Sequence, residues 1–127
     1  MTNSEKLINW VAEQHGDQLI KKTRLPYLNH LTAVGNLSES FVRLGFEIGL
    51  CHDLLEDTSA SDESLFNALQ NFGYSLDDTN RIVDCVKELT DVFSKNQFPE
   101  LSKKERKKRE SERLVSISPT SQTVKYA

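Results

Sequence analysis

The chain has 127 residues, 37% hydrophobic and 28% charged, with a formal net charge of −3. That length supports one domain with its own core, so folding needs no disulfide framework and no structural metal. The composition reads as soluble and globular. No apolar run approaches the ~20 residues of a membrane span, and the polar start from Met1 to Leu7 offers no apolar signal core, so a cytoplasmic protein with no membrane partner is expected. The charge is uneven: Lys103 to Arg113 (KKERKKRESER) holds seven basic and three acidic residues, which leaves −7 for the remainder. An acidic body with one basic strip is not the pattern of a general nucleic-acid binder. The two cysteines, Cys51 and Cys85, are far apart and each sits in an apolar stretch, so they are read as buried free thiols.

In chain order, the spacing predicts helices nearly throughout. Leu7, Ile8, Val11 and Ala12 recur at helical intervals, giving a first amphipathic helix from Ser4 to Gln14 that Gly16 ends. A polar connection, Asp17 to Leu25, leads to Pro26, which suits the first turn of a second helix running to Leu37. A third helix is expected to begin at Ser38 to Ser40 and continue through Phe41, Val42, Leu44, Phe46, Ile48, Leu50, Cys51, Leu54 and Leu55. It is apolar on nearly every face and so central and buried.

Thr58 to Asp62 reads as a loop. Ser61 or Asp62 caps a fourth helix carrying Leu65, Phe66 and Leu69, closed by Gly73. Ser75 and Asp78 have capping-box spacing for a fifth, with a stripe of Ile82, Val83, Val86, Leu89, Thr90 and Phe93. A turn around Pro99, from Asn96 to Glu100, precedes a charged helix from Ser102 to Leu114. Ser118-Pro119 opens a last short helix, expected to fray or dock loosely because so few residues cannot hold a helix unaided. The expectation is a single all-α domain of six or seven helices spanning residues 1–127. The run Lys103 to Arg113 is read as a solvated face, with a strip reaching over the pocket to attract phosphates as the alternative. Phe41, Phe46, Phe66, Phe72 and Phe93 are read as core, Trp10 as core or rim, and Tyr27 as either core or stacking surface.

The chemistry concentrates in the stretch CHDLLEDT, where His52, Asp53, Glu56 and Asp57 interrupt the apolar run. Buried carboxylates pair, lose their charge or coordinate metal, because leaving them unpaired costs several kcal/mol. On a continuous helix His52 and Glu56 share one stripe and Asp53 and Asp57 the next, so all four can face one pocket. Imidazole beside carboxylate suits Mn²⁺, Fe²⁺, Zn²⁺ or a similar ion. His30, in PYLNHLTAV, carries no such signal alone, and His15 reads as a structural or surface histidine.

The stretches HGDQLIKKTRLPYLNH, GLCHDLLEDT, the Phe72-Gly73 pair, VKELTDV and TVKYA together resemble the HD superfamily of metal-dependent phosphohydrolases. Within it they are most similar to the alarmone hydrolases, which comprise the hydrolase domain of Rel/SpoT enzymes and small stand-alone members. The resemblance covers His15 to Ala127. It implies an HD-domain helical bundle that removes the 3′-pyrophosphate from (p)ppGpp, with Mn²⁺ as the usual metal and a small nucleotide rather than a nucleic acid as partner. It implies His30, His52 and Asp53 as metal ligands and Glu56 and Asp57 as the acidic pair that positions or activates water. Lys21 and Lys22, which follow Gln18, fall near the family's substrate-facing basic residues, and Arg24 and Tyr27 are placed with them.

Three positions depart from the family. Ile20 stands where an arginine often stacks on the base, and Leu31 stands where a proline often follows the histidine. Lys125-Tyr126-Ala127 matches the Lys-x-Ala segment that precedes the family's fourth ligand, an aspartate that this sequence does not reach. Two alternatives therefore stay open: an HD enzyme acting on another nucleotide, and a degenerate HD domain that binds a nucleotide or partner without catalysis. No oligomeric state is read from the sequence.

Overall fold

The caps foreseen in the sequence set most helix ends in the computed structural model, which describes residues 1–92 and 97–125. Helix α1 (Asn3–His15) starts where Thr2 Oγ1 accepts from the Glu5 N–H at 3.1 Å and stops at Gly16, whose φ of 58° is left-handed. Helix α2 (Tyr27–Glu39) follows a tight reversal in which Leu19 bridges Pro26 and the Ile20 N–H donates to the Leu25 carbonyl at 2.9 Å. Next come α3 (Gly45–Leu50), α4 (Leu54–Asp57) and α5 (Asp62–Phe72), the last opened by a Ser61–Ser64 capping box and closed by Gly73 at φ 101°. Ser75 caps α6 (Leu76–Leu89) and Ser102 caps α7 (Lys103–Val115). Pro119 is the first residue of α8 (Pro119–Lys125). The described residues thus form an all-α domain of eight helices rather than six or seven, and none of these helices is long and apolar enough to cross a membrane.

The extra helix comes from one correction. The expected third helix is not continuous. Ser38 lies buried inside α2, the Phe41 and Val42 N–H groups fold back onto its carbonyl, and Leu44 reverses the chain at φ 61°. The all-round apolar pattern belongs to two short helices and two turns packed at the centre, which periodicity alone cannot tell from one buried helix. Phe41 consequently points outward and is 68% exposed, not core. Phe46, Phe66 and Phe72 do pack against the core, as does Trp10 at its rim. Phe93, Asn96, Tyr126 and Ala127 lie outside the described residues.

The core gathers Leu7 and Val11 of α1, Leu31 of α2, Ile48 and Leu50 of α3, and Ile82 and Val86 of α6, all fully buried. Helices α2 and α3 meet glycine against glycine. A Cβ on Gly49 would stand 2.9 Å from the Cα and N of Gly35, and one on Gly35 would stand 2.9 Å from the Phe46 carbonyl oxygen. Only residues without side chains allow backbones so close. This contact brings the middle of α2, with His30, against the end of α3, where His52 follows.

Helix α7 buries no residue, in keeping with a solvated charged face. It is fastened through Arg113, which donates to the Glu88 carbonyl at 2.8 Å and the Thr90 carbonyl at 3.1 Å and pairs with Glu110 at 2.9 Å. Helix α8 is not loosely docked as its length suggested. Val124 is 3% exposed within the core cluster. The Glu88 carboxylate accepts from the Ser118 N–H at 2.9 Å, the Ser118 hydroxyl at 2.8 Å and the Ser121 hydroxyl at 2.8 Å.

Candidate metal centre

His52 and Asp53 occupy the break between α3 and α4, not the interior of a helix. Cys51 (φ −95°, ψ 3°) and Asp53 (φ −105°, ψ 2°) take up the bridge conformation between helix and strand, a region frequent at active sites. The local bonds tighten accordingly, the Leu54 N–H reaching the Cys51 carbonyl at 3.0 Å. The break turns both side chains toward α2. His30, His52 and Asp53 each offer a ligand atom, and these atoms lie within 4.8 Å of one another, a group able to hold a metal ion.

The hydrogen bonds around this trio orient it. His52 Nδ1 is 2.5 Å from the Gly49 carbonyl oxygen. A carbonyl only accepts, so Nδ1 carries the proton and the neutral ring presents an unprotonated Nε2. That Nε2 is 2.9 Å from Asp53 Oδ2, and His30 Nε2 is 3.9 Å from the same oxygen. Tyr27 donates its hydroxyl to Asp53 Oδ2 at 2.5 Å. A ring nitrogen lone pair facing a carboxylate needs a proton or a cation between them. With a proton, His52 is an imidazolium. Burial opposes that charge, but the bond and charge of Asp53 outweigh it and raise the His52 pKa. With a metal ion, the same two atoms become neighbouring ligands, since donors each ~2.1 Å from an ion and at right angles stand about 3 Å apart. A histidine whose second nitrogen is tied to a backbone carbonyl, beside a carboxylate that is itself hydrogen-bonded, is the usual support of a metal ligand set. The donor set therefore fits a divalent ion.

The trio opens into a cavity of about 330 Å³ lined by His30, Val34, His52, Asp53, Glu56, Leu89, Asp91, Val124 and Lys125. Burial and the charges of Asp91, Asp53 and Asp57 push the Glu56 pKa up, against the bond it receives from the Asp91 N–H. Burial and the Glu110 carboxylate push Asp91 up as well. For Asp53, burial is outweighed by the bonds from His52 and Tyr27, which hold its pKa down. Burial and Asp53 raise the Tyr27 hydroxyl, which stays protonated and donates.

No family model, curated protein or solved structure matches the chain.

The expected site residues do not all converge. Both carboxylates are exposed, but Glu56 lines the cavity and Asp57 does not; Asp57 bears on the Tyr27 hydroxyl instead. Lys21, Lys22 and Arg24 lie exposed in the reversal between Leu19 and Pro26, none of them on the cavity wall. Tyr27 packs its ring against the core, as one of its two readings had it, and commits its hydroxyl to Asp53. His15 is structural as expected, 8% exposed, with Nδ1 3.0 Å from Gln18 Oε1 and its ring 5.4 Å from that of Tyr27. Sequence reasoning missed Asp91 and Lys125 as wall residues. Asp91 sits just past the end of α6 and Lys125 at the end of α8, and neither spacing relates them to CHDLLEDT.

Proposed function

We propose that the chain is a metal-dependent phosphohydrolase of the HD type acting on a nucleotide pyrophosphate, with (p)ppGpp as the leading substrate and Mn²⁺ as the leading metal. The observation that carries this reading is the His30–His52–Asp53 trio, with Glu56 on the wall of the same cavity. His52 and His30 would hold the ion through Nε2 and Asp53 through Oδ2, with Tyr27 and the Gly49 carbonyl keeping those atoms in place. A bound divalent ion supplies a water of lowered pKa and offsets charge on the phosphorus. Glu56 is the candidate to take the proton from that water, because it lines the same cavity and its pKa is raised above the ordinary carboxylate value. Asp57 acts through Tyr27 in this reading rather than at the reacting atoms.

The cavity is at the small end of the ~300–1,000 Å³ range of ligand pockets, so it suits a diphosphate group, with the nucleoside extending beyond it. The position of Lys21, Lys22 and Arg24 outside the wall favours a second reading in which the same centre serves a different nucleotide.

The test is pyrophosphate release from ppGpp with added Mn²⁺, after chelation, and in a His52→Ala variant. Release that needs Mn²⁺ and disappears in the variant is expected. A wild-type chain that binds Mn²⁺ but releases nothing from ppGpp or from a panel of nucleotide polyphosphates would sink the hydrolase reading and leave a binding domain.

A further inference from the structure

Among the described residues lining the cavity, three are carboxylates, Asp53, Glu56 and Asp91, and Lys125 is the one cation. We propose that Lys125 receives the phosphate oxygens of the substrate at this centre, an inference that rests on the phosphohydrolase reading. Three carboxylates with a divalent ion leave the wall at net −1, which repels a polyanion, and Lys125 brings it to neutrality. The lysine charge already acts on His52 and on Asp91, which line the same cavity.

The root of the side chain is well anchored. Lys125 closes α8, which is pinned at its start by the three bonds to Glu88 and by Arg81 donating to Thr120 Oγ1 at 2.7 Å, and at its end by buried Val124. The ammonium itself ends a flexible four-carbon stem in an exposed residue, which suits a phosphate that arrives and leaves. The basic loop of Lys21, Lys22 and Arg24, assigned to the substrate by resemblance, stands off this wall.

The two ligands of the site should respond to Lys125 with opposite signs, because the same charge repels a metal ion and attracts a phosphate. Calorimetric titration with Mn²⁺, and then with inorganic phosphate into the Mn²⁺-saturated chain, reads both in the wild type, Lys125→Ala and Lys125→Arg. Lys125→Ala should bind Mn²⁺ as tightly as the wild type or a few-fold tighter, and phosphate at least ~10-fold more weakly, as for loss of a charge-assisted contact. Lys125→Arg should recover most of the phosphate affinity. Unchanged phosphate binding in Lys125→Ala overturns the proposal, and so does a joint fall in both affinities, which would mark a merely structural role. A wild type that takes Mn²⁺ but no phosphate overturns it while leaving the metal centre standing. A wild type that takes no Mn²⁺ overturns the metal reading and this proposal together.

Discussion

The two walls of the cavity are built by different means. The ligand wall, from α2 and the α3–α4 break, is held mainly through backbone, Gly35 against Gly49 and a carbonyl on His52 Nδ1, with one side-chain bond, the Tyr27 hydroxyl on Asp53. The opposite wall, with Asp91 and Lys125, is held by side chains that reach across from neighbouring helices, Glu88 to the start of α8 and Arg113 to the end of α6. Close-packed backbone has no slack, whereas the second wall seats a single core side chain of α8, Val124, and is otherwise held by hydrogen bonds that give more readily. The first wall is therefore suited to fixing ligand geometry, and the second to adjusting around whatever enters.

The largest effect should come from breaking the first wall. Gly49→Ala places a Cβ 2.9 Å from the Gly35 backbone, where nothing flexible can give way. A destabilisation of about 2–3 kcal/mol is expected, as for overpacking against rigid neighbours, together with loss of Mn²⁺ affinity as His30 moves off His52. Urea unfolding and metal titration on one sample check both, and a variant as stable as the wild type would show that α2 and α3 can separate freely. Tyr27→Phe comes next. It removes only the hydroxyl on Asp53, so roughly a 10-fold loss of Mn²⁺ affinity is expected, in the range for partners of metal ligands, with the fold intact by circular dichroism. If Tyr27 acted on substrate instead, Mn²⁺ affinity would hold and only nucleotide binding would fall.

The smallest effect should come from the clamp. Glu88→Gln keeps an acceptor but loses the charge, a difference of about 1 kcal/mol between charged and neutral hydrogen bonds. Burial opposes charge on Glu88, but the Ser118 and Ser121 bonds outweigh it and hold its pKa down. A depressed carboxylate stabilises the fold fully above the ordinary glutamate pKa of about 4.3 and loses that contribution as pH falls through the lowered value. The gap in stability between wild type and Glu88→Gln should thus be full at neutral pH and close in acid. A gap independent of pH would mean that the clamp does not depend on the Glu88 charge.

The same division separates what could be read in the sequence from what could not. The caps at Ser61, Ser75, Ser102 and Ser118, and the stops at Gly16 and Gly73, are local chemistry, and they lie where the spacing placed them. His52, Asp53 and Glu56 stood out because charge inside an apolar run demands an explanation, and His30 was added only by resemblance. The break at Cys51 to Asp53 left no local mark, because it arises from packing against α2 and no proline announces it. The outward turn of Phe41 has the same origin, with a leucine, not a glycine, in the left-handed position at Leu44. Asp91 and Lys125 lie in the VKELTDV and TVKYA segments of the resemblance, but their place on the wall was not readable: they reach the cavity through the meeting of α6 and α8, a long-range contact that periodicity cannot encode.

The two cysteines sit one behind each wall. Cys51 immediately precedes His52 and is fully buried, and Cys85 is 2% exposed on α6, where its carbonyl accepts from the Ser121 hydroxyl at 3.4 Å. Burial raises the Cys51 thiol well above its ordinary range, so it stays protonated and unreactive while the fold is closed. A thiol-modifying reagent meets either sulfur only during transient opening. Both sulfurs belong to the one core cluster, so their modification without any added probe would report the opening of that core.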